Sequence, residues 1–138
     1  MNVLFDSNVI LDFALKRKPF NDHAKKCFAF LEDNENNFQG YVSSSTISDL
    51  YYIISKTRTK SYAYDFIKDL VLLLEIATVD KEVILNAFKS IIDDLEDAIQ
   101  ESSALINDID VIITRNEKDF KNSRIKIHNP KEFLEIYS

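Results

Sequence analysis

Short apolar runs alternate with longer amphipathic stretches along this chain. Short apolar runs bounded by polar residues are typical of buried strands, whereas apolar residues spaced three and four apart are typical of helices. The runs predict strands at residues 3–5, 39–43, 75–79, 110–114 and 125–128. The run at 110–114 has the continuous apolar character of a buried parallel strand.

Helical periodicity fills the segments between these strands. In the first half of the chain it predicts a helix at 9–15, one capped by Asn21 or Asp22, one capped by Ser44 or Ser45 that ends before Thr59, and one at about 61–73. In the second half it predicts a helix capped by Asp80 with apolar positions through 91 and a helix with apolar positions 98–106. A short helical segment or turn at 115–120 and a last helix begun by Pro130 complete the set. The alternation of strands and helices predicts an α/β fold in which helices sandwich a parallel sheet.

The chain length and composition indicate one compact domain over residues 1–138, because 138 residues with 46% apolar content can bury a substantial core. No stretch of about 18 apolar residues and no signal sequence is present, so we expect a cytoplasmic protein without a membrane partner. The single cysteine, Cys27, excludes an internal disulfide and a thiolate zinc cluster.

The chain contains one glycine, Gly40. Phosphate-binding loops of nucleotide-binding folds need several glycines so that the backbone can approach the phosphates closely. A nucleotide cofactor is therefore not expected. The net charge of −6 also argues against a surface that coats nucleic acid as a whole, although a local basic patch remains open.

Acidic residues follow predicted strands or open predicted helices at distant points of the chain. Asp6 directly follows the first strand, Asp49 lies early in the helix after the second strand, and Asp97 opens a long helix with Asp94 just before it. Asp119 follows the fourth strand, beside Asn116. Such positions meet at the carboxyl end of a parallel sheet, and clustered oxygen ligands suit a hard cation such as Mg²⁺ or Mn²⁺. The pattern predicts metal-assisted phosphodiester hydrolysis, in which a metal-bound water attacks the phosphate.

The segments Asp6-Ser7-Asn8-Val9-Ile10-Leu11-Asp12, Ser45-Thr46-Ile47-Ser48-Asp49-Leu50, Glu96-Asp97-Ala98-Ile99-Gln100 and Thr114-Arg115-Asn116-Glu117-Lys118-Asp119-Phe120 occur in the order found in PIN domains. The chain resembles this family over nearly its full length. The resemblance implies a three-layer α/β/α sandwich with a central parallel sheet of four to five strands. It also implies an Mg²⁺- or Mn²⁺-dependent endoribonuclease acting on RNA, of the kind found as the toxin of bacterial toxin–antitoxin pairs. A small antitoxin protein that blocks the acidic pocket, for example by inserting an arginine, would then be a partner.

The resemblance implies that Asp6, Asp49 and Asp97 are metal ligands, and we expect Asp6 and Asp97 to be the principal ones. Helical spacing adds Asp94 as a further candidate, because it shares a face with Asp97. Asp49 departs from the glutamate common at its position and is shorter by one C–C bond, roughly 1.5 Å. Asn116 stands where the family commonly has an acid, so either Asn116 or Asp119 would orient water or complete the shell.

Basic residues near these segments could hold an RNA backbone through phosphate contacts with little sequence preference. Arg115 is the first candidate, followed by Lys118, Lys16, Arg17 and Arg58. Basic residues at helix C-termini also complement the helix dipole without any further function. Tyr51, Tyr52, Tyr62 and Tyr64 could stack on unpaired bases, but their helical spacing favours core or interface packing.

Three other functions remain open at this point. The chain could be a PIN-like domain that binds nucleic acid or protein without catalysis. It could be a Mg²⁺-dependent phosphatase with Asp6 as nucleophile, although that chemistry favours an acid at position 8, where this chain has Asn8. It could also be an interaction module, such as a homodimer that buries part of its 10 Phe and 6 Tyr side chains.

Overall fold

The computed structural model describes residues 1–138 and has a central sheet of five parallel strands. The strands are β1 (Asn2–Phe5), β2 (Gln39–Ser43), β3 (Glu75–Ala77), β4 (Val111–Ile113) and β5 (Lys126–His128). Their order across the sheet is β3-β2-β1-β4-β5, so the first strand lies at the centre. The chain builds one half of the sheet from β1 outward and then returns to add β4 on the other side. This reversal opens a crevice at the carboxyl ends of β1 and β4, where open α/β folds bind ligands.

Seven helices and two short 3-10 turns connect the strands. The helices are α1 (Ser7–Ala14), α2 (Asn21–Asp33), α3 (Ile47–Thr57), α4 (Lys60–Leu73), α5 (Lys81–Ala87), α6 (Leu95–Ile106) and α7 (Pro130–Tyr137), and the 3-10 turns are Ser44–Thr46 and Glu117–Phe120. None of the helices has the length and apolar content needed to cross a membrane.

The sheet buries side chains on both faces, because successive residues of a strand point to opposite sides. Val3 and Phe5 belong to a core of 20 buried residues that also draws on α1, α2, α3, α4 and α7. Leu4, between them, belongs to a second core of nine buried residues that draws on α5, α6 and the second 3-10 turn. The predicted three-layer α/β/α fold with a parallel sheet is therefore confirmed.

Gly40 lies in β2 at a close approach between strand and helices. A Cβ atom at this position would lie 2.5 Å from Leu74 Cδ2 and 2.7 Å from Leu31 Cδ1. Real Cβ atoms do not come so close to a neighbour, so the one glycine serves packing, not the binding of a phosphate.

Several predicted boundaries were wrong. Neither Asn21 nor Asp22 caps α2, whose first turn has no side-chain cap. The backbone N of Asn21 donates instead to the carbonyl of Arg17 in the preceding turn, at 2.8 Å. Ser43, and neither Ser44 nor Ser45, caps the turn before α3, and its Oγ accepts from Ser45 N. The helix predicted to continue through residue 91 ends at Ala87. The third strand ends at Ala77 instead of at 79.

Candidate functional site

A cavity of about 780 Å³ opens at the carboxyl edge of the sheet. Its lining comes from the segments after β1, β2 and β4, from α3 and from the beginning of α6. The lining includes every predicted catalytic or metal-binding residue, namely Asp6, Asp49, Asp94, Asp97, Asn116 and Asp119. The fold thus brings together side chains that are distant in sequence, as the strand-end positions predicted.

Asp6 is the least exposed of these acids, at 6%. It caps α1 at the end of β1, and its Oδ1 accepts hydrogen bonds of 2.7 Å from Ser7 N and from Gln100 Nε2. Its Oδ2 accepts from Thr114 Oγ1 at 2.7 Å and from Asn8 Nδ2 at 3.2 Å. A carboxylate offers roughly four lone-pair positions, and four protein donors point at this one. A cation bound to Oδ2 would therefore replace the longest of these contacts, which comes from Asn8.

Burial raises the pKa of the Asp6 carboxyl above its ordinary value. The hydrogen bonds from Thr114, Ser7 and Gln100 act in the opposite direction, because they stabilise the charged form. The donors therefore fix the orientation of the carboxyl group and offset part of the effect of burial, although the pKa of Asp6 stays above its ordinary value.

Asp97 and Asp94 lie at the beginning of α6. Asp94 is the N-cap, and its Oδ1 accepts from Asp97 N at 3.1 Å. Burial, followed by repulsion from Asp6, Asp94, Asp119 and Glu96, raises the pKa of Asp97 to about 7. Repulsion among the carboxylates of the cavity thus disfavours the ionised form of Asp97 near neutral pH.

Asp49, Asn116 and Asp119 form the solvent-exposed part of the acidic cavity. Asp49 lies in the first turn of α3. The backbone N of Asn116 donates to the buried Thr114 Oγ1 at 3.1 Å, which links this exposed segment to the hydrogen bonds around Asp6. The backbone carbonyl of Asn116 accepts from Asp119 N at 3.0 Å. These side chains could move toward a ligand without disturbing the core.

The donor set suits a hard cation, since carboxylate and amide oxygens are the ligands of Mg²⁺ and Mn²⁺. No group of three or more His, Cys, Asp or Glu side chains has the spacing of a metal site. The carboxylates therefore converge on one cavity without forming a preassembled cage. A buried oxygen without a hydrogen-bond partner, Gln100 Oε1, also lies among the lining residues.

The lining of the cavity contains no lysine or arginine. Arg115 is instead held by the buried Asp12, to which its Nε donates at 2.8 Å and its Nη2 at 3.2 Å. Its guanidinium lies 4.1 Å from the centre of the Phe20 ring. Arg17 reaches the same carboxylate at 3.8 Å. The structure therefore gives Arg115 a packing role, while its predicted contact with RNA remains a prediction.

The other predicted basic residues lie outside the cavity lining as well. Arg58 Nη2 donates to the carbonyl of Leu15 at 3.0 Å, which joins the end of α3 to the end of α1. Lys16 and Lys118 are exposed and form no ion pair. A phosphate in the cavity would consequently meet carboxylates and no protein cation.

Core or interface packing was predicted for four tyrosines, and the structure shows all four exposed. Core packing is therefore wrong for them, whereas interface packing stays a prediction. Tyr51 and Tyr62 are 37% and 38% exposed, and Tyr52 and Tyr64 are 62% and 64% exposed. They occupy the outward faces of α3 and α4, where periodicity alone does not tell an inner from an outer aromatic position. Tyr52 lines the acidic cavity, and Lys56 Nζ lies 5.5 Å from the centre of its ring.

Sequence reasoning missed a buried network around Glu101. Glu101 follows an acidic run, and most acids in such a run are solvated, yet Glu101 is 1% exposed. Its carboxylate accepts from Ser90 Oγ, Ser123 Oγ, Arg124 N and Arg124 Nη2 at 2.8–2.9 Å. This network joins α6 to the loops on either side, and no pattern in the sequence distinguishes Glu101 from its exposed neighbours.

The geometry disfavours Asp6 as a phosphatase nucleophile. Position 8, where that chemistry favours an acid, holds Asn8, whose Nδ2 donates to Asp6 and whose Oδ1 accepts from Arg115 N at 3.2 Å. Asn8 therefore joins the ends of β1 and β4 and carries no proton that it could give to a leaving group.

Structural comparison finds the same fold in several solved structures. The chain is similar to a structure of VapBC2 from Rickettsia felis bound to a DNA fragment from their promoter (TM-score 0.72, 19% identity, 94% of this chain and 98% of that chain covered). It is similar to DNA-bound VapBC from Salmonella typhimurium (TM-score 0.71, 17% identity, 94% and 98% covered). It is also similar to VapC20 from Mycobacterium tuberculosis, a Sarcin-Ricin loop cleaving toxin (TM-score 0.64, 9% identity, 80% and 86% covered).

Sequence comparison gives the family directly. A search of curated proteins returned no significant match. The family profile described as PIN domain matches residues 2–118, which is most of the chain and includes every acid that lines the cavity except Asp119. The chain therefore belongs to the PIN domain family.

Proposed function

We propose that this PIN domain is a single-domain endoribonuclease that depends on Mg²⁺ or Mn²⁺ and acts as the toxin of a toxin–antitoxin pair. The observation that carries the proposal is the cavity itself, which gathers six carboxylates and no basic residue at the carboxyl edge of the sheet. Phosphodiester chemistry in such a cavity requires a cation, because a phosphate would otherwise be repelled.

Asp6 and Asp97 would hold the cation, with Asp49 and Asp94 assisting. Asp6 offers a carboxylate fixed by four donors, and Asp97 offers one whose charge is disfavoured until a cation balances it. A bound dication lowers the pKa of a water ligand and stabilises the charge that develops on phosphorus. Asn116 or Asp119, on the exposed side, would orient the water or complete the ligand shell.

RNA would lie across the exposed side of the cavity. Tyr52 presents an exposed aromatic face there, on which an unpaired base could stack, and Lys56 is beside it for a neighbouring phosphate. Lys118, Lys16 and Arg17 lie beyond the cavity and would add salt-dependent phosphate contacts.

A small antitoxin protein is the proposed partner, since the similar structures include toxin–antitoxin complexes. We also propose that two copies of the chain associate. Exposed apolar side chains in α5 and just after it favour this, because Leu85, Phe88 and Ile91 are 54%, 67% and 68% exposed. Sedimentation of the chain alone and of Phe88→Glu would test it, with loss of a dimer expected in the variant and a wild-type monomer contradicting it.

The nuclease proposal is tested with purified protein and RNA. Structured and unstructured RNAs are incubated with Mn²⁺ or with chelator, using wild type and Asp6→Ala. We expect cleavage only by wild type with metal. Equal cleavage by both proteins would indicate a contaminant, and binding without cleavage under any condition would favour a binding domain.

A further inference from the structure

Gln100 lines the acidic cavity with a buried, neutral side chain, and only the nitrogen of its amide forms a hydrogen bond. It lies one turn after Asp97 on α6 and is 5% exposed. Its Nε2 donates to Asp6 Oδ1 at 2.7 Å, whereas its Oε1 is buried without a hydrogen-bond partner.

The orientation of this amide follows from Asp6. An ionised carboxylate only accepts hydrogen bonds, so the NH₂ end of Gln100 must face it. Rotating the amide by half a turn would bring its oxygen against the oxygen of Asp6. The unpaired Oε1 is therefore a direct consequence of the hydrogen bond that Gln100 gives to Asp6.

A buried carbonyl without a donor is costly, and native structures rarely leave one. The charged residues that line the cavity are all carboxylates, which accept, and none is a lysine or arginine. No protein group donates to this oxygen, so a molecule bound in the cavity could supply the donor. A water bound to a dication is a strong donor, since the cation polarises its O–H bonds.

We propose that Gln100 is a positioning residue of the cation site, in which Nε2 holds Asp6 in place and Oε1 accepts a hydrogen bond from a water ligand of the bound Mg²⁺ or Mn²⁺. This inference rests on the proposed function. It assigns Gln100 the role that outer partners have in metal sites, where they orient the ligands and the bound water.

The residue type fits this role. A glutamate at position 100 would add another negative charge directly against Asp6. A leucine or methionine would remove both the donor to Asp6 and the acceptor for water. Because Gln100 and Asp97 are three residues apart, they share a face of α6, and the hydrogen bond to Asp6 joins that face to the end of β1.

Mn²⁺ binding measured by the electron paramagnetic resonance signal of free Mn²⁺ tests the proposal without any need for activity. The variants are Gln100→Met, which has a similar length but no amide, and Gln100→Asn, which keeps an amide that is too short to reach. The matched control is Gln39→Met, because Gln39 also donates its amide, to the carbonyl of Gly40 at 2.9 Å, but lies outside the cavity. We expect both Gln100 variants to bind Mn²⁺ about 10- to 100-fold more weakly and Gln39→Met to bind like wild type.

A measurement on the unaltered protein keeps the test independent of variant folding. In ¹H–¹⁵N spectra, Mg²⁺ should shift the side-chain amide signals of Gln100 and leave those of Gln39 in place. Unchanged Gln100 signals on saturation with Mg²⁺, or variants with wild-type Mn²⁺ affinity, would overturn the proposal.

The same data separate this inference from the proposed function. Weaker Mn²⁺ binding by the Gln100 variants, together with a wild type that cleaves no RNA, would support the role of Gln100 and contradict the nuclease. Unaltered Mn²⁺ binding by the Gln100 variants, together with metal-dependent RNA cleavage by wild type, would contradict the role of Gln100 and support the nuclease. A wild type that binds no Mn²⁺ would overturn both.

Discussion

Arg115 Nε donates to Oδ2 of the buried Asp12 at 2.8 Å, and this ion pair joins the segment after β4 to α1. Asp12 has 2% of its side chain exposed, whereas Arg115 has 29% exposed. The segments that follow the neighbouring strands β1 and β4, and that carry Asp6 and Asn116, are thus held together by a pair that lies outside the cavity itself.

Arg115→Ala should destabilise the fold. The substitution leaves the buried carboxylate of Asp12 with only the longer contact from Arg17, and the expected loss in free energy of unfolding is about 2–3 kcal/mol. Urea denaturation followed by circular dichroism measures it. Arg17→Ala is the control and should cost less than about 1 kcal/mol, because that arginine is more exposed and farther from Asp12. Equal stability of Arg115→Ala and wild type would contradict a packing role for Arg115.

Glu101→Gln should lower stability in a pH-dependent way. Burial on its own would raise the pKa of Glu101, but hydrogen bonds from Arg124, Ser90 and Ser123 lower it below the ordinary value of 4.5. A carboxyl group whose pKa is lower in the folded state stabilises the fold at pH values above its pKa in the unfolded chain. This stabilisation is lost as the pH falls through the pKa of the folded state.

Urea denaturation of wild type and Glu101→Gln between pH 3 and pH 7 checks this. The difference should be about 1–3 kcal/mol at pH 7 and should shrink as the pH falls below about 4.5. Glu135→Gln serves as control, because Glu135 forms only an exposed pair with Lys131 at 4.0 Å. A difference that stays constant over this pH range would exclude the ionised Glu101 as its source.

The sequence predicted the sheet and the place of the acids because both depend on simple patterns. The first strand could be predicted because a short apolar run has the length of a buried strand and ends at a polar residue, Asp6. The network of Glu101 could not be predicted, since a buried and a solvated acid look alike in an acidic helix. The end of α5 at Ala87 was missed for a related reason: Phe88 and Ile91 continue the apolar spacing, although both are exposed.

The positions of Asp49 and Asp97 and the resemblance to PIN domains both indicated them as candidate ligands, and both line the cavity. Their role as ligands stays a prediction. The hydrogen bond from Gln100 to Asp6 was beyond either approach, because it joins residues 94 positions apart through a contact that depends on the fold.

Asp97→Asn should stabilise the metal-free protein at alkaline pH. The pKa of Asp97 is raised from 3.8 to about 7, so its contribution to stability is fully present below pH 3.8 and is lost as pH rises through 7. Removing the charge should therefore help most above pH 7. Because the side chain is partly exposed, solvent screens much of the repulsion, and the expected gain is about 1 kcal/mol, or roughly 3–6 °C in Tm.

Thermal unfolding in chelator between pH 5 and pH 8.5 measures this shift. Asp93→Asn is the control, because Asp93 is exposed and does not line the cavity. Adding Mg²⁺ should raise the Tm of wild type more than that of Asp97→Asn, since a ligand stabilises the state that binds it. A wild type more stable than Asp97→Asn in chelator at pH 8 would show that the carboxylates do not repel one another as described.

Tyr52→Ala should weaken RNA binding without affecting the fold. Stacking of one base on an aromatic ring contributes about 1–3 kcal/mol, so the Kd for single-stranded RNA should rise roughly 5- to 150-fold. Tyr64→Ala is a close control, because Tyr64 is 64% exposed against 62% for Tyr52 but lies outside the cavity lining. Fluorescence anisotropy with labelled RNA in Ca²⁺ measures both. Equal effects of the two substitutions would place the RNA elsewhere.

The cavity formed by Asp6, Asp49, Asp94 and Asp97 is the dication site that we propose. Anomalous diffraction from crystals grown with Mn²⁺ locates such an ion. We expect an anomalous peak within about 2–3 Å of a carboxylate oxygen of Asp6 or Asp97, lost in crystals of Asp97→Asn. Manganese bound only at other surfaces, or a cavity without a peak at saturating Mn²⁺, would contradict it.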